Sequence, residues 1–220
     1  MIEVSFYLLS FMALAMLSVL FRNYSSKQKA TAFLSLAGWI AYLALLDHFN
    51  ILRSFDFPPR IPVLVVIPAI ATIIILVNRK SLLEALTVNP LYLPIALQSF
   101  RILVELLIYA TYQKGIFPQR ATFEGLNFDI VVGISSLLVA RAVHKGVIST
   151  QGILLWNIAS LSILSVTAYS FISTYYFTDF LSAGGSNQFV ELPYLLLASV
   201  LLPVAVFLHA FSIKQALRKA

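Results

Sequence analysis

Long apolar runs separated by short charged loops constrain this chain more than any other feature. Of its residues, 60% are hydrophobic and 11% are charged, whereas a soluble domain is about a quarter charged. A membrane-spanning helix needs about 17–25 residues, and a spanning β-strand is shorter and alternates in polarity. Seven segments fit the helical pattern: residues 4–21, 30–46, 61–77, 93–112, 128–143, 152–173 and 193–212. The sequence therefore predicts an all-α integral membrane protein, a bundle of seven transmembrane helices forming a single domain over residues 1–220.

The loop charges alternate along the chain in the way that the positive-inside rule requires. The loops that follow odd-numbered spans carry ten cations and one acid, Glu84. The cations are Arg22, Lys27, Lys29, Arg79, Lys80, Arg141, Lys145, Lys214, Arg218 and Lys219. The opposite loops hold four cations and most of the acids, including Glu3, Asp56, Asp179 and Glu191. This pattern predicts an N-terminus outside, a C-terminus inside and no cleaved leader, since Glu3 stands where a signal peptide carries basic residues.

A polar stripe interrupts the fourth apolar segment. On a helical wheel, Gln98, Arg101, Glu105 and Tyr109 share one face, and the opposite face is mostly apolar. A charge in the middle of a membrane costs about 2.5–3.5 kcal/mol on insertion scales, so the stripe must turn inward, and Arg101 and Glu105 are spaced to offset one another. The stripe predicts a binding site or a proton or ion relay, in which Arg101 attracts an anionic group while Glu105 titrates. A buried ion pair that only fixes helix packing is the alternative.

The segment "TFEGLNFDI", residues 122–130, joins the fourth and fifth spans. Asn127 is placed to cap the fifth helix, and Asp129 then lies in its first turn, where the helix dipole favours an anion. Another interpretation adds Asp47 and His48 from the end of the second span. Together with Glu124 and Asp129, these residues would bind a cation or shuttle protons.

Four segments, "QSFRILVELL", "TFEGLNFDIVVG", "LLWN" and "LLPVAVFLHAFSIKQ", resemble a family of small, uncharacterised bacterial seven-helix membrane proteins with a TFEGxNFDI-like segment. The resemblance covers the fourth to the seventh span. The resemblance implies a multi-pass protein of the bacterial inner membrane, and it does not indicate an activity.

Several activities lack their motif in this sequence. The chain contains no cysteine, no H-E-x-x-H zinc motif, no P-loop and no lysine within a span that could hold retinal. His144 and His209 are candidate ligands of a haem or a metal ion, although a hydrogen-bonded His209 with Asn157 as its partner is the simpler interpretation. The sequence identifies no cofactor, and its scattered cations do not indicate a nucleic-acid partner.

Three functions remain compatible with the sequence. The first is binding or transport of a small molecule or ion through a cavity lined by Gln98, Arg101, Glu105 and Tyr109, open near Glu124 and Asp129. The second is an enzyme acting on a lipid or isoprenoid, which predicts carboxylates converging on a pocket that opens sideways to lipid. The third is a partner or assembly subunit, which predicts a fully packed stripe without a cavity. The bilayer is the expected partner in each case, and an oligomer is compatible with all three.

Overall fold

The computed structural model describes residues 1–219, and their side chains except at positions 83, 85–87 and 219. The chain is 75% helical, and these residues contain no β-strand. Residues 1–219 form nine α-helices: α1 (Ile2–Leu20), α2 (Ser26–His48), α3 (Ile67–Val77), α4 (Lys80–Val88), α5 (Tyr92–Leu97), α6 (Phe100–Tyr112), α7 (Asp129–His144), α8 (Thr150–Phe177) and α9 (Leu202–Lys219).

Helices lie on all seven predicted segments. Within residues 1–219, five helices are long and apolar enough to cross a membrane, judged by length and composition alone. These five are Ile2–Leu20, Ser26–His48, Tyr92–Tyr112, Thr150–Phe177 and Leu197–Arg218. The helix Pro62–Val77 is apolar but shorter, and α7 has 16 residues. At 1.5 Å per residue α7 is about 24 Å long, less than the ~30 Å hydrocarbon core.

The helices run between two ends of the bundle. At one end, which we call the Asn89 end, Asn89 Nδ2 donates to the Leu20 carbonyl at 2.8 Å, and Lys214 Nζ donates to Asn78 Oδ1 at 2.8 Å. At the other, the Glu124 end, Arg53 and Glu191 form an ion pair at 3.1 Å. Each end therefore gathers the loops that the alternating charges place on one side.

Helix α9 forms the centre of the bundle, and α2 lies at its periphery. Helix α9 packs against α1, α3, α4, α5 and α8. In its apolar span 67% of the residues are buried inside the protein, against 11% for α2. A helix that is apolar all round and little buried by protein fits a lipid environment, so the exposed surface of α2 is suited to acyl chains.

Two π-helical turns, Pro62–Val66 and Leu197–Leu201, precede α3 and α9 and contact each other. Each turn is followed by a proline at the same spacing, Pro68 or Pro203. Proline has no backbone N–H, so it cannot donate to the carbonyl four residues earlier. These carbonyls belong to the third residue of each turn, and within a membrane they require another donor.

Helix α2 supplies both donors. Tyr42 Oη donates to the Leu64 carbonyl at 3.0 Å, and Trp39 Nε1 donates to the Ser199 carbonyl at 3.0 Å. Trp39 and Tyr42 are three residues apart, so they share one face of the helix. The polar tips of two aromatic side chains thus attach a peripheral helix to both proline-containing turns.

The connection between α6 and α7 enters the bundle instead of lying over it. Phe117, Ala121, Thr122 and Asn127 are all at most 2% exposed. Helix α7 consequently begins deep in the protein, which explains its shortness. Non-helical backbone is tolerated at membrane depth only where protein surrounds it, and these four buried residues meet that condition, whereas other residues of the connection, such as Leu126 and Phe128, are exposed.

Candidate functional site

The guanidinium of Arg101 forms a two-point ion pair with Asp129. Nε donates to Oδ2 at 3.1 Å, and Nη2 donates to Oδ1. Arg101 and Glu105 are 2% and 1% exposed, which confirms the prediction that these charges turn inward. No hydrogen bond or ion pair joins Arg101 to Glu105 among the described residues, because a carboxylate from α7 occupies two sides of the planar guanidinium.

The remaining guanidinium nitrogen extends the network to α9. Arg101 Nη1 lies 3.0 Å from His209 Nε2, and His209 Nδ1 lies 2.9 Å from Asn157 Oδ1. An arginine N–H only donates, so Nε2 accepts and the ring proton is assigned to Nδ1, which donates to Asn157. Asn157 Nδ2 then donates to Ser212 Oγ at 3.0 Å. The predicted partnership of His209 and Asn157 is confirmed.

This arrangement commits both ring nitrogens of His209, so neither is available to a haem or a metal ion. Arginine does not release its proton, and Arg101 and the Asn157 amide flank the imidazole. The hydrogen bonds through His209 therefore form a structural link between α6, α8 and α9.

A second arm of the network centres on the amide of Asn127, which is fully buried. Its Nδ2 donates to Glu105 Oε2 at 2.6 Å and to the Ala121 carbonyl at 3.0 Å. Its Oδ1 accepts from the Asp129 backbone N–H at 3.0 Å and from Thr167 Oγ1 at 2.8 Å. Asn127 accepts from the N–H of Asp129, the first residue of α7, but the N-cap residue is Phe128, so the predicted capping role of Asn127 is wrong. The main effect of this amide is to hold Glu105 and the start of α7 together.

Gln98 lies between α5 and α6 and faces the core. Its Nε2 donates to the Ala205 carbonyl at 3.1 Å, and the side chain is 1% exposed. Its Oε1 has no hydrogen-bond partner among the described residues. Gln98 thus ties the polar stripe to α9, as the inward orientation of the stripe predicts.

Helices α6 and α7 approach closely at Gly133, one turn after Asp129. A Cβ atom at this position would lie 2.8 Å from Cγ1 and 2.9 Å from the backbone nitrogen of Ile102. Only glycine leaves space for this approach. The close contact brings Asp129 within hydrogen-bonding reach of Arg101.

Tyr109 and Glu124 belong to a more exposed region at the Glu124 end. Tyr109 Oη donates to Glu124 Oε1 at 3.0 Å, and its ring stacks on Phe123 with centroids 4.6 Å apart. Gln119 Nε2 also donates to Glu124, at 3.4 Å. These two candidate residues therefore contact each other at the protein surface, outside the buried network.

The predicted cluster of Asp47, His48, Glu124 and Asp129 is not assembled. Within residues 1–219, no hydrogen bond or ion pair links the α2 pair to either of the other two carboxylates. In the same part of the chain, no three His, Asp or Glu side chains come close enough together to hold a metal ion. The cluster fails because α2 packs at the periphery, whereas Asp129 lies in the core.

A cavity of about 70 Å³ adjoins the buried network. Four polar residues, Arg101, Glu105, Asp129 and Thr167, lie at one part of its wall. The rest of the lining is apolar and comes from α6, α8, α9 and the two π-helical turns; it includes Val104, Ile108, Leu164, Phe171, Leu197 and Leu201. An apolar cavity with a few convergent polar groups is the usual form of a small-molecule site.

The half-buried lining residues mark the side on which the cavity opens. Val66, Ala168, Ile172 and Leu202 are partly exposed, while the polar lining residues are buried. These four residues come from α8, α9 and the turn that precedes α3, and both α3 and α8 pack on α9. Tyr176 of α8 is partly exposed as well, whereas Ile61 and Phe189 of the lining are buried. The mouth therefore faces sideways.

Sequence reasoning did not find Thr167 or the shape of the cavity. Thr167 lies among many hydroxyl residues of α8 that share no single face, so nothing in the sequence separates it from the rest. One feature of the sequence could have indicated that Asp129 pairs with Arg101: an arginine within a span requires a carboxylate partner.

Comparison of the chain with protein-family models, curated proteins and solved structures gave no match in any of the three. The class that the fold defines is a helical protein with several apolar helices, compatible with a polytopic membrane protein. Its function must therefore be argued from the site itself.

Proposed function

We propose that this protein crosses the bacterial inner membrane seven times, with its N-terminus outside, and binds a lipid-like small molecule that enters sideways between α3 and α8. One observation carries the binding proposal: a buried polar group of Arg101, Glu105 and Asp129 adjoins an apolar cavity whose mouth lies on the lateral surface. A molecule dissolved in the bilayer reaches such a mouth without crossing an aqueous loop.

The shape of the cavity favours binding from the bilayer over transport between the two aqueous sides. The network of His209, Asn157 and Ser212 fills the core between Arg101 and the Asn89 end, and all three residues are at most 1% exposed. A partner subunit with no ligand predicts a fully packed stripe, and the cavity argues against that alternative. The alternative of an enzyme acting on a lipid predicts carboxylates at a sideways pocket, and Glu105 and Asp129 both line this one. Asp129 is held by Arg101 through both oxygens, so Glu105 alone of the two has an uncommitted oxygen, which favours binding over catalysis by a carboxylate pair.

The seven spans and their orientation draw support from the two ends of the bundle. Arg22 and Lys214 lie at the Asn89 end, where Lys29 donates to the Arg22 carbonyl and Lys214 donates to Asn78, and Glu191 lies at the other end. The two shorter helices, Pro62–Val77 and α7, run between the same two ends as their neighbours. The buried residues of segment 113–128, including Phe117, Ala121 and Asn127, account for the shortness of α7, because they cover part of the remaining depth with protein.

Access from the bilayer can be tested by cysteine labelling, because the chain contains no native cysteine. In Ala168→Cys, the new thiol lies at the mouth and should react with a lipid-soluble maleimide and resist a charged, water-soluble one. Ile158→Cys, on the exposed face of the same helix, is the lipid-facing control. Rapid reaction of Ala168→Cys with the charged reagent would contradict the sideways mouth.

Ligand binding is tested by native mass spectrometry of protein released from nanodiscs. We expect a bound molecule on the wild type and on Ile158→Trp, and its loss in Ala168→Trp, whose indole would obstruct the mouth. Circular dichroism must show equal helicity in all three. An adduct that survives Ala168→Trp unchanged would place binding elsewhere.

A further inference from the structure

Most hydrogen-bond donors at the polar part of the cavity are used by the protein. Each nitrogen of Arg101 makes one hydrogen bond, two to Asp129 and one to His209, which leaves two of its five N–H groups without an acceptor among the described residues. The hydroxyl of Thr167 donates towards Asn127 Oδ1 and the Ile163 carbonyl. A carboxylate or phosphate head group would need donors and a balancing charge, and the donors left on this part of the described wall belong to a guanidinium whose charge Asp129 already balances.

An acceptor, by contrast, is available. Glu105 lines the cavity, and its Oε2 accepts from Asn127. Its Oε1 accepts no hydrogen bond from residues 1–219, although the side chain is only 1% exposed. A buried carboxyl oxygen left without a donor is costly, so a ligand that donates a hydrogen bond here would be favoured.

The balance of charge points in the same direction. The polar part of the wall contains one guanidinium, Arg101, and two carboxyl groups, Glu105 and Asp129. His209 uses Nε2 as an acceptor and contributes no second cation. Since Arg101 and Asp129 are paired with each other, the polar part of the described wall offers an additional anion no uncompensated cation, whereas a neutral donor requires none.

From this donor and charge inventory we propose that the cavity selects an aliphatic molecule whose polar head is a hydrogen-bond donor, a hydroxyl or an amino group, and that Glu105 Oε1 accepts from it. The inference rests on the proposed function and reverses the expectation from the sequence that Arg101 attracts an anion. Apolar side chains such as Val104, Phe171 and Leu201 surround the remainder of the ligand. The cavity of about 70 Å³ holds the head group and the first few carbons, and the rest of a single chain extends through the mouth.

The experiment uses three photoreactive probes that differ only in the head group. These are octan-1-ol, octylamine and octanoate, each with a diazirine in the middle of the chain, added to the full-length protein in nanodiscs of zwitterionic lipid. After illumination, peptide mass spectrometry locates the labelled residues. The alcohol and the amine should label α6, α8 and α9 at the cavity about tenfold more than octanoate does, as one charge-assisted hydrogen bond predicts.

Two variants sharpen the result. Glu105→Gln replaces one carboxyl oxygen with an N–H donor of similar size, so the preference over octanoate should fall several-fold while the total labelling persists. Ala168→Trp should reduce labelling by all three probes, and Ile158→Trp should leave it unchanged. If Glu105→Gln does not fold, the series on the wild type still decides the question.

The outcomes separate the two proposals. Cavity labelling by octanoate that equals or exceeds labelling by the alcohol and the amine in the wild type would overturn the head-group inference and leave sideways binding intact. Failure of every probe to label the cavity would overturn the proposed function itself. Stronger labelling by either the alcohol or the amine supports the inference and identifies the preferred donor.

Discussion

The indole of Trp39 donates its only N–H to the backbone carbonyl of Ser199, 3.0 Å away and 160 residues later in the chain. The donor that a regular helix would provide for this carbonyl is missing, because residue 203 is proline. The side chain of one helix therefore replaces a backbone donor of another. The contact also supports a turn that forms part of the cavity wall.

Trp39→Phe should reduce the free energy of unfolding by about 1 kcal/mol, the usual scale for an interhelical hydrogen bond in a membrane protein. The matched background is Pro203→Ala, which restores a backbone N–H near the Ser199 carbonyl. We expect Trp39→Phe to cost less in that background, as measured by reversible unfolding in mixed micelles. Equal costs in both backgrounds would show that the indole acts only through packing.

The hydroxyl of Tyr42 donates to the backbone carbonyl of Leu64, whose helical donor is missing because residue 68 is proline. Tyr42→Phe removes one oxygen and should destabilise the protein by about 0.5–1.5 kcal/mol. The loss should shrink when Pro68 is replaced by alanine. A double-mutant cycle on unfolding free energies measures the coupling, and a coupling near zero would contradict this interpretation.

The ion pair of Arg101 and Asp129 should be far more sensitive to loss of one partner than to loss of both. Asp129→Leu leaves a buried guanidinium without its carboxylate, which typically costs about 3–5 kcal/mol. Arg101→Met combined with Asp129→Leu removes both charges and should be more stable than Asp129→Leu alone. Expression level and thermal unfolding in detergent check the order; a double variant less stable than the single one would refute it.

Gly133 should tolerate no larger residue. In Gly133→Ala, the new methyl group meets the backbone nitrogen of Ile102 at 2.9 Å, so α6 and α7 must separate, at a cost of about 1–3 kcal/mol. Gly38 in α2 is the control, because a Cβ atom there meets nothing within 4 Å. Gly38→Ala should be neutral or stabilise by up to about 1 kcal/mol. Similar melting temperatures for the two variants would exclude close packing at Gly133.

The topology can be determined with three single-cysteine variants in intact cells and a maleimide that does not cross the membrane. With seven spans and the N-terminus outside, Asn187→Cys and Lys114→Cys should react, and Ser26→Cys should react only after permeabilisation. Lys114→Cys is the discriminating position, because a five-span arrangement would place it inside with Ser26. Labelling of Ser26→Cys in intact cells would reverse the orientation.

The sequence by itself determined the helical segments and the inward orientation of the polar stripe. Hydrocarbon solvates neither a guanidinium nor a carboxylate, so Gln98, Arg101 and Glu105 had to lie on one buried face wherever the neighbouring helices stood. Helical periodicity is local, and for this reason it could be read from one segment alone. The partnership of His209 and Asn157 followed from a similar argument about depth.

Only the tertiary structure decided which groups meet across the bundle. Asp129 displaced Glu105 as the partner of Arg101 because segment 113–128 enters the core and α7 approaches α6 at a glycine. The exclusion of Asp47 and His48, the support of two proline-containing turns by α2, and the cavity between α3 and α8 likewise depend on how separate helices are placed. Hydropathy and spacing describe one helix at a time, whereas a hydrogen bond between helices depends on the relative positions of both.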